Sequence, residues 1–440
     1  MEPIVIIHGW SDEAKSFRAL AEFIEENLGL APTLINLAQW RSMHDDVTYA
    51  DLANAMQLAW TTLGLPQSPR SVNIVVHSTG ALVVRDWMTS FHTADTVPIK
   101  RFLMLAPANF GSPLAHKGHM LIGRALKGWK EPGFQTGEKI LDGLELGSSY
   151  TWQLADRDLF GEQTWYGPQR ILATVLAGNH GYRGFQGALV NEPGSDGTVF
   201  ISTANLNAAK LTLQLDDKHQ MQGAPTLVVS KGAIGLGIVD EDHGSIIQPG
   251  ANRPKTRELI LQALKVTDAD YQVANSGAFP WQATLDSQSE PADGEFQNTV
   301  IHLNDNLGQD ITEYFTEFYR QSSTDDEFEY ELYKKAIESV HPYSGNTAYR
   351  AFYINIGELE YLKTRSRPPT RQIYISMLAD PVFLPPKQPV GYYRLKSNET
   401  GGLCIPANDL HEYFQPHRTL LVGLTLTRLI HESVFRLNPL

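Results

Sequence analysis

Residues 73–84, NIVVHSTGALVV, set a serine where an apolar run is broken by His77-Ser78-Thr79-Gly80. A serine hydroxyl is a poor nucleophile until a neighbouring base takes its proton. A sharp strand-to-helix turn solves half of that problem. It exposes the hydroxyl and aims the next main-chain N–H at the oxyanion that forms on attack. Such a turn favours small residues two places before and after the serine. Gly80 fits and Ala81 helps, whereas Val76 stands where glycine is usual. The plainer reading is that Ser78 caps a helix starting near Gly80.

A working serine needs an acid and a base, met in that order along the chain when the turn belongs to an α/β hydrolase. The Gly-bracketed stretch NEPGSDGTVF supplies Asp196, and GIVDEDHGSI supplies His243. Asp196 also suits an ordinary Ser-Asp-Gly turn, so Asp240 and Asp242, beside His243, are the alternate acids. Among the 14 histidines the rival base is His219. His77 is expected to point away along the turn. The oxyanion hole needs two main-chain donors. Thr79 provides one, and Trp10, in HGWS after the first apolar run, provides the other. His8 in that stretch is expected to be a buried structural histidine.

Other constellations carry less. His116 and His119 lie three apart without a carboxylate cluster, so no metal site is expected. LNDNLGQD, residues 303–310, lacks the spacing and final Glu of a calcium loop and is expected to be a turn. No Gly-rich phosphate loop is found, and no cofactor is expected.

The elements that must position these residues follow from pattern. Residues 4–8, 32–37, 72–77, 100–106, 170–178 and 226–230 are short β-rich runs, most of them continuously apolar, as parallel strands covered on both faces require. Helical stretches at 16–29 and 49–64 stop at Gly29 and Gly64. The series predicts an α/β domain with a mainly parallel, doubly wound sheet over residues 1–265. Residues 107–168 interrupt it, and an insertion there is expected to form a lid or a pocket wall. A polar, Pro- and Gly-containing linker is expected over 266–297. Beyond it, runs at 298–303, 348–362, 371–378, 390–396 and 419–430 predict a mostly β, sandwich-like domain over 298–440, broken by one acidic helix at 325–340.

The chain has 440 residues, 42% hydrophobic and 19% charged, with a net charge of -13, a pI near 5.5 and one cysteine, Cys404. Acidity of that size argues against nucleic-acid partners and against docking on an anionic bilayer by charge. A single cysteine excludes an internal disulfide and a Cys-rich zinc site. MEPIVIIHGW lacks the features of a signal peptide, and no stretch approaches the roughly 18 apolar residues of a membrane span. Membrane contact, if made, is expected from the side, through apolar residues of the 109–130 segment and the tail IHESVFRLNPL, residues 430–440.

IVIIHGW, the HSTG elbow and the SDGTV and DHGSI loops together resemble the bacterial PlaB-like phospholipases A, α/β hydrolases with a C-terminal β domain of their own. The resemblance implies Ser78 as nucleophile, Asp196 as acid and His243 as base. It further implies hydrolysis of phospholipid and lysophospholipid acyl esters, peripheral membrane association and a possible homo-oligomer. Spacing alone gives a serine hydrolase acting on an acyl carbonyl. A soluble carboxylesterase, thioesterase or triacylglycerol lipase would share every residue named, and a hydrolase fold kept as a binding module is the non-enzymatic alternative. Neither cytoplasmic nor surface placement follows from the sequence.

Overall fold

In a computed structural model of the chain, the described residues are 2–7, 17–35, 45–116, 137–182, 191–217, 222–248, 250, 252–275, 277–320, 332–365, 372–393 and 403–434. They fall into two compact units. One comprises Met1–Ala208 and Ser230–Gly294, the other Ala209–Val229 and Glu295–Leu440.

The first unit begins with β1 (Ile4–Ile7), α1 (Arg18–Leu28), β2 (Thr33–Ile35), α2 (Tyr49–Thr62), β3 (Val72–His77), α3 (Gly80–Phe91), β4 (Ile99–Leu105) and β5 (Leu172–Gly178). The chain then leaves for β6 (Ala209–Gln214) and β7 (Thr226–Val229) and returns as β8 (Ile234–Val239). The sheet order is β2-β1-β3-β4-β5-β8, parallel throughout. Strands covered on both faces must be apolar along their length, and β3 and β5 are buried at every residue. The helices start and stop where the sequence indicates. Thr48 and Asp51 form a reciprocal capping box on α2, with Asp51 N donating to Thr48 Oγ1 at 3.2 Å and Thr48 N to Asp51 Oδ2 at 2.9 Å. Gly29 closes α1 at φ 67°, a left-handed conformation that costs glycine little.

Several sequence expectations are revised. TLVVS is no part of the parallel sheet. Its β7 pairs antiparallel with β6 in the second unit, as a largely exposed edge. The sixth parallel strand is IGLGIV, whose glycines hide it from an apolar-run search. Those glycines lie directly beneath packed side chains. A Cβ at Gly235 would lie 2.8 Å from Leu285 and 2.9 Å from Trp281, and one at Gly237 would lie 2.9 Å from Leu285. The expected linker is accordingly structured. Tyr271 is fully buried, and the helix Pro280–Gln288 lays Trp281 and Leu285 into the same core as α1 and the helix Pro254–Ala263. Gln282 also completes the open edge of β8, its Oε1 accepting from Leu236 N and its Nε2 donating to Leu236 O, both at 2.9 Å. An uncovered strand edge invites pairing with another chain, and Gln282 occupies it. In the 107–168 insertion, Ala108, Phe110, Leu114, Ile140, Leu141, Trp152 and Leu154 are buried. These flanks of the insertion are packed inside, and residues 117–136 lie outside the described residues.

The second unit continues with β9 (Phe296–Asp305), β10 (Tyr314–Arg320), β11 (Ile337–Pro342), β12 (Tyr349–Asn355), β13 (Gln372–Ala379), β14 (Val390–Gly391), β15 (Leu403–Pro406), β16 (Thr419–Leu426) and β17 (Leu429–Ile430). A six-stranded mixed sheet has the order β11-β12-β9-β16-β6-β7; a three-stranded antiparallel sheet has the order β10-β13-β15. Leu211, Ile301, Phe352 and Leu420 of the first share one core with Phe318, Ile373 and Met377 of the second. Two sheets closing on one apolar layer make a sandwich. The acidic helix expected over 325–340 is not what forms at its end: Ile337–Pro342 pair with β12 as a strand. Conversely 348–362 is strand only to Asn355, whose Oδ1 accepts from Glu358 N at 3.1 Å and so starts the helix Ile356–Thr364. Residues 303–310 close as a turn, with Asp305 Oδ1 accepting from Leu307 N and Gln309 N, both at 2.9 Å.

Candidate active site

Ser78 follows the last residue of β3 at φ 54°, a conformation rare outside glycine. The turn is held by its own main chain. Ser78 N donates to Leu105 O at 3.2 Å, and Ser78 O accepts from Ala81 N and Ala108 N, both at 3.3 Å. Strain of this kind persists only where its surroundings enforce it. Here β4 on one side and α3 on the other do so. Helix α3 is anchored in turn by Arg85, fully buried, which donates to Asp158 through Nε at 2.7 Å and Nη2 at 2.8 Å and to Asn109 O at 3.0 Å. Thr79 carries the N-terminal cap of α3, so its main-chain N–H sits at the positive end of the helix dipole.

The three sequence-identified residues converge at the C-terminal edge of the parallel sheet. His243 Nε2 lies 3.1 Å from Ser78 Oγ, and His243 Nδ1 lies 2.8 Å from Asp196 Oδ2. His243 and Asp196 are each 2% exposed, while Ser78 remains partly open. A carboxylate only accepts, so the imidazole proton sits on Nδ1 and the Nε2 lone pair faces the serine hydroxyl. That is the tautomer a general base requires.

Local sequence explains how Asp196 and His243 arrive. Asp196 Oδ1 accepts from Thr198 N at 2.9 Å and Val199 N at 2.7 Å, which leaves Oδ2 alone for the histidine. Gly194 and Gly197 on either side take φ 70° and 91°. Room for the aspartate is made at the end of β5, where a Cβ on Gly178 would meet Asp196 Cβ at 2.9 Å. After β8, Asp242 Oδ1 accepts from Gly244 N at 3.0 Å and Ser245 N at 2.8 Å, turning the chain back at His243. Glu241 is wholly buried and pairs with Arg253 and Ser245 Oγ.

The alternates have other occupations. Asp242 is spent on that turn, and Asp240 is 64% exposed, near His180. His219, His8 and Trp10 lie outside the described residues, as does His119. Sequence reasoning passes over Gly178 and misdirects His77. Gly178 has no sequence signature beyond ending an apolar run. His77, expected to face away, turns toward the base: its Nε2 is 2.9 Å from His243 O, and the two rings lie 4.6 Å apart. No group of His, Cys, Asp and Glu suited to a metal ion occurs among the described residues.

An open parallel sheet flanked by helices, with Ser78, His243 and Asp196 hydrogen-bonded in line at its C-terminal edge, is the α/β-hydrolase fold. No protein-family model and no curated protein matches the sequence. Among solved structures, the chain has the fold of phospholipase PlaB from Legionella pneumophila over its whole length. In the complex of that protein with thio-NAD, the likeness covers 100% of this chain and 96% of the other at 21% identity and a TM-score of 0.79. A second PlaB structure gives the same coverage at 20% identity and a TM-score of 0.80. The likeness extends over both units.

Proposed function

We propose that this chain is a serine hydrolase of the PlaB-like group, a phospholipase A and lysophospholipase cleaving acyl esters. The hydrogen-bonded line Ser78–His243–Asp196 carries the reading. A module retained for binding alone has no need of a strained serine, a correctly protonated base and an acid held by two main-chain donors.

In the proposed mechanism His243 Nε2 takes the proton of Ser78 Oγ as the oxygen attacks the acyl carbonyl. The charge that develops on the carbonyl oxygen is met by the Thr79 N–H at the start of α3, with Trp10 as the second donor. Asp196 keeps the Nδ1–H tautomer and stabilises the imidazolium. His243 then protonates the departing alcohol, and water, deprotonated by the same nitrogen, releases the fatty acid from Ser78. The preference for phospholipid over a soluble ester is supported by the full-length likeness to PlaB. Peripheral membrane contact and a homo-oligomer belong to the same proposal. No helix among the described residues is long and apolar enough to cross a bilayer, and Ile430 and Val434, near the chain end, are 63% and 48% exposed.

Wild type and Ser78→Ala, prepared in parallel, are assayed for fatty acid released from long-chain phosphatidylcholine vesicles, lysophosphatidylcholine and a soluble short-chain ester. Serine-dependent release from the lipids is expected. Release from the soluble ester alone would replace the phospholipase with a soluble esterase, and activity undiminished in Ser78→Ala would remove Ser78 as nucleophile.

A further inference from the structure

We propose that His77 is a positioning residue for the catalytic base, acting on the main chain of His243 rather than on substrate. The inference rests on the serine-hydrolase reading but not on the identity of the ester.

The triad contacts hold the imidazole of His243 at both nitrogens, yet they leave its peptide groups to other partners. Asp196 takes one of these, its main-chain O accepting from His243 N at 3.0 Å. The other is His243 O, 2.9 Å from His77 Nε2. A carbonyl oxygen only accepts, so His77 Nε2 carries a proton and donates it. His77 is 3% exposed. Its ring lies against that of His243, with centroids 4.6 Å apart and planes at 44°, and against Phe17 on another side, at 5.9 Å and 58°. A donor so enclosed cannot trade its partner for water without leaving the carbonyl unpaired.

The connection is specific to this position. His77 is peptide-bonded to Ser78, and it ends the buried strand β3, whose placement the whole sheet fixes. The hydrogen bond therefore ties the base loop to the nucleophile turn one residue from the reacting oxygen. A displacement of about 1 Å between reacting groups costs on the order of a hundredfold in rate. Without this tie the base loop would lose its direct link to the nucleophile strand through the main chain of His243.

Three variants separate the donor from the ring. His77→Gln keeps a donor at similar reach, His77→Met has the same length without one, and His77→Phe keeps the ring without one. Each is measured for kcat and KM on a soluble p-nitrophenyl ester and for the rate of fluorophosphonate labelling of Ser78. Melting temperature and the low-field proton resonance of His243 Nδ1–H are recorded alongside. For Met and Phe, kcat and labelling are expected to fall by roughly ten- to a hundredfold with KM within about twofold. The low-field resonance should broaden, while Gln recovers most of both. Wild-type kcat in His77→Met, or Gln no better than Met, would overturn the inference. If His77→Phe does not fold, the equal-length Gln and Met pair decides. If wild type neither hydrolyses the ester nor labels, the hydrolase reading falls by itself. The resonance still judges His77, since a sharp signal in His77→Met would show the tie to be dispensable.

Discussion

Replacing Asp196 by Asn changes one atom, and the structure dictates which way round the amide must sit. Oδ1 of Asp196 accepts from two main-chain donors, Thr198 N at 2.9 Å and Val199 N at 2.7 Å. An amide NH2 in that place would face both donors, leaving two buried N–H groups unpaired at about 1–3 kcal/mol each. The Asn carbonyl is therefore held there by about 2–6 kcal/mol, and its NH2 falls where Oδ2 stood, 2.8 Å from His243 Nδ1. Two donors cannot share that contact, so the imidazole must present its Nδ1 lone pair. Its proton then moves to Nε2, facing Ser78, and the base has no lone pair for the serine. A wrong-tautomer lesion of this kind lowers kcat by about 10^4-fold in the serine-protease triad, or about 5.5 kcal/mol at the transition state. Because both caps survive, the melting temperature of Asp196→Asn should stay near wild type, while Asp196→Ala, which loses them, should melt several degrees lower. Initial rates on a soluble ester, labelling of Ser78 by a fluorophosphonate and thermal melts test this together. A kcat for Asp196→Asn within about tenfold of wild type would refute the tautomer argument. A large fall in its melting temperature would refute the amide orientation.

Two further outcomes follow from interactions away from the reacting atoms. Gln282→Leu keeps the helix Pro280–Gln288 but strips the β8 edge of both bonds to Leu236. A loss of about 1–3 kcal/mol in urea unfolding is expected, and an unchanged midpoint would show the edge to be satisfied otherwise. Burial acts to raise the carboxyl of Glu2, but hydrogen bonds from Lys100 and Arg101 outweigh it and hold the group at about 2, against an ordinary 4.5. A depressed carboxylate stabilises fully above its unfolded value and loses that contribution as pH falls through its folded one. Wild type should thus lose stability between pH 4.5 and 2 more steeply than Glu2→Gln; parallel urea midpoints across that range would dispose of the argument.

The convergence of Ser78, Asp196 and His243 was more legible in the sequence than the connectivity. Ser78, Asp196 and His243 each lie in a short stretch where glycine and small polar residues interrupt apolar runs, and turn chemistry of that kind is local. His77 was misjudged because its neighbour is remote: the direction of a strand's last side chain is read easily, but not which loop folds down upon it. The 266–297 stretch looked like a linker because it is polar on average, yet Pro280 opens a helix and Trp281 and Leu285 share a face at a spacing of four. Residues 337–340 carry helix-forming neighbours, and sheet pairing with β12 overrides them. Gly235 and Gly237 break the apolar run of IGLGIV, and the Trp281 and Leu285 packed over them become visible only in the fold.

The order in which the strands are made has its own consequence. β6 is synthesised in the middle of the chain, yet its parallel partner is β16, with Ala209 opposite Leu420. β16 also separates β6 from β9, so the six-stranded sheet has a vacancy at its centre until β16 has been made. Pairing across so long a sequence interval is slow. Until then the β6–β7 hairpin and β9 each offer an open edge to other chains. Chains stopped just short of Thr419 are the ones this architecture exposes most to aggregation.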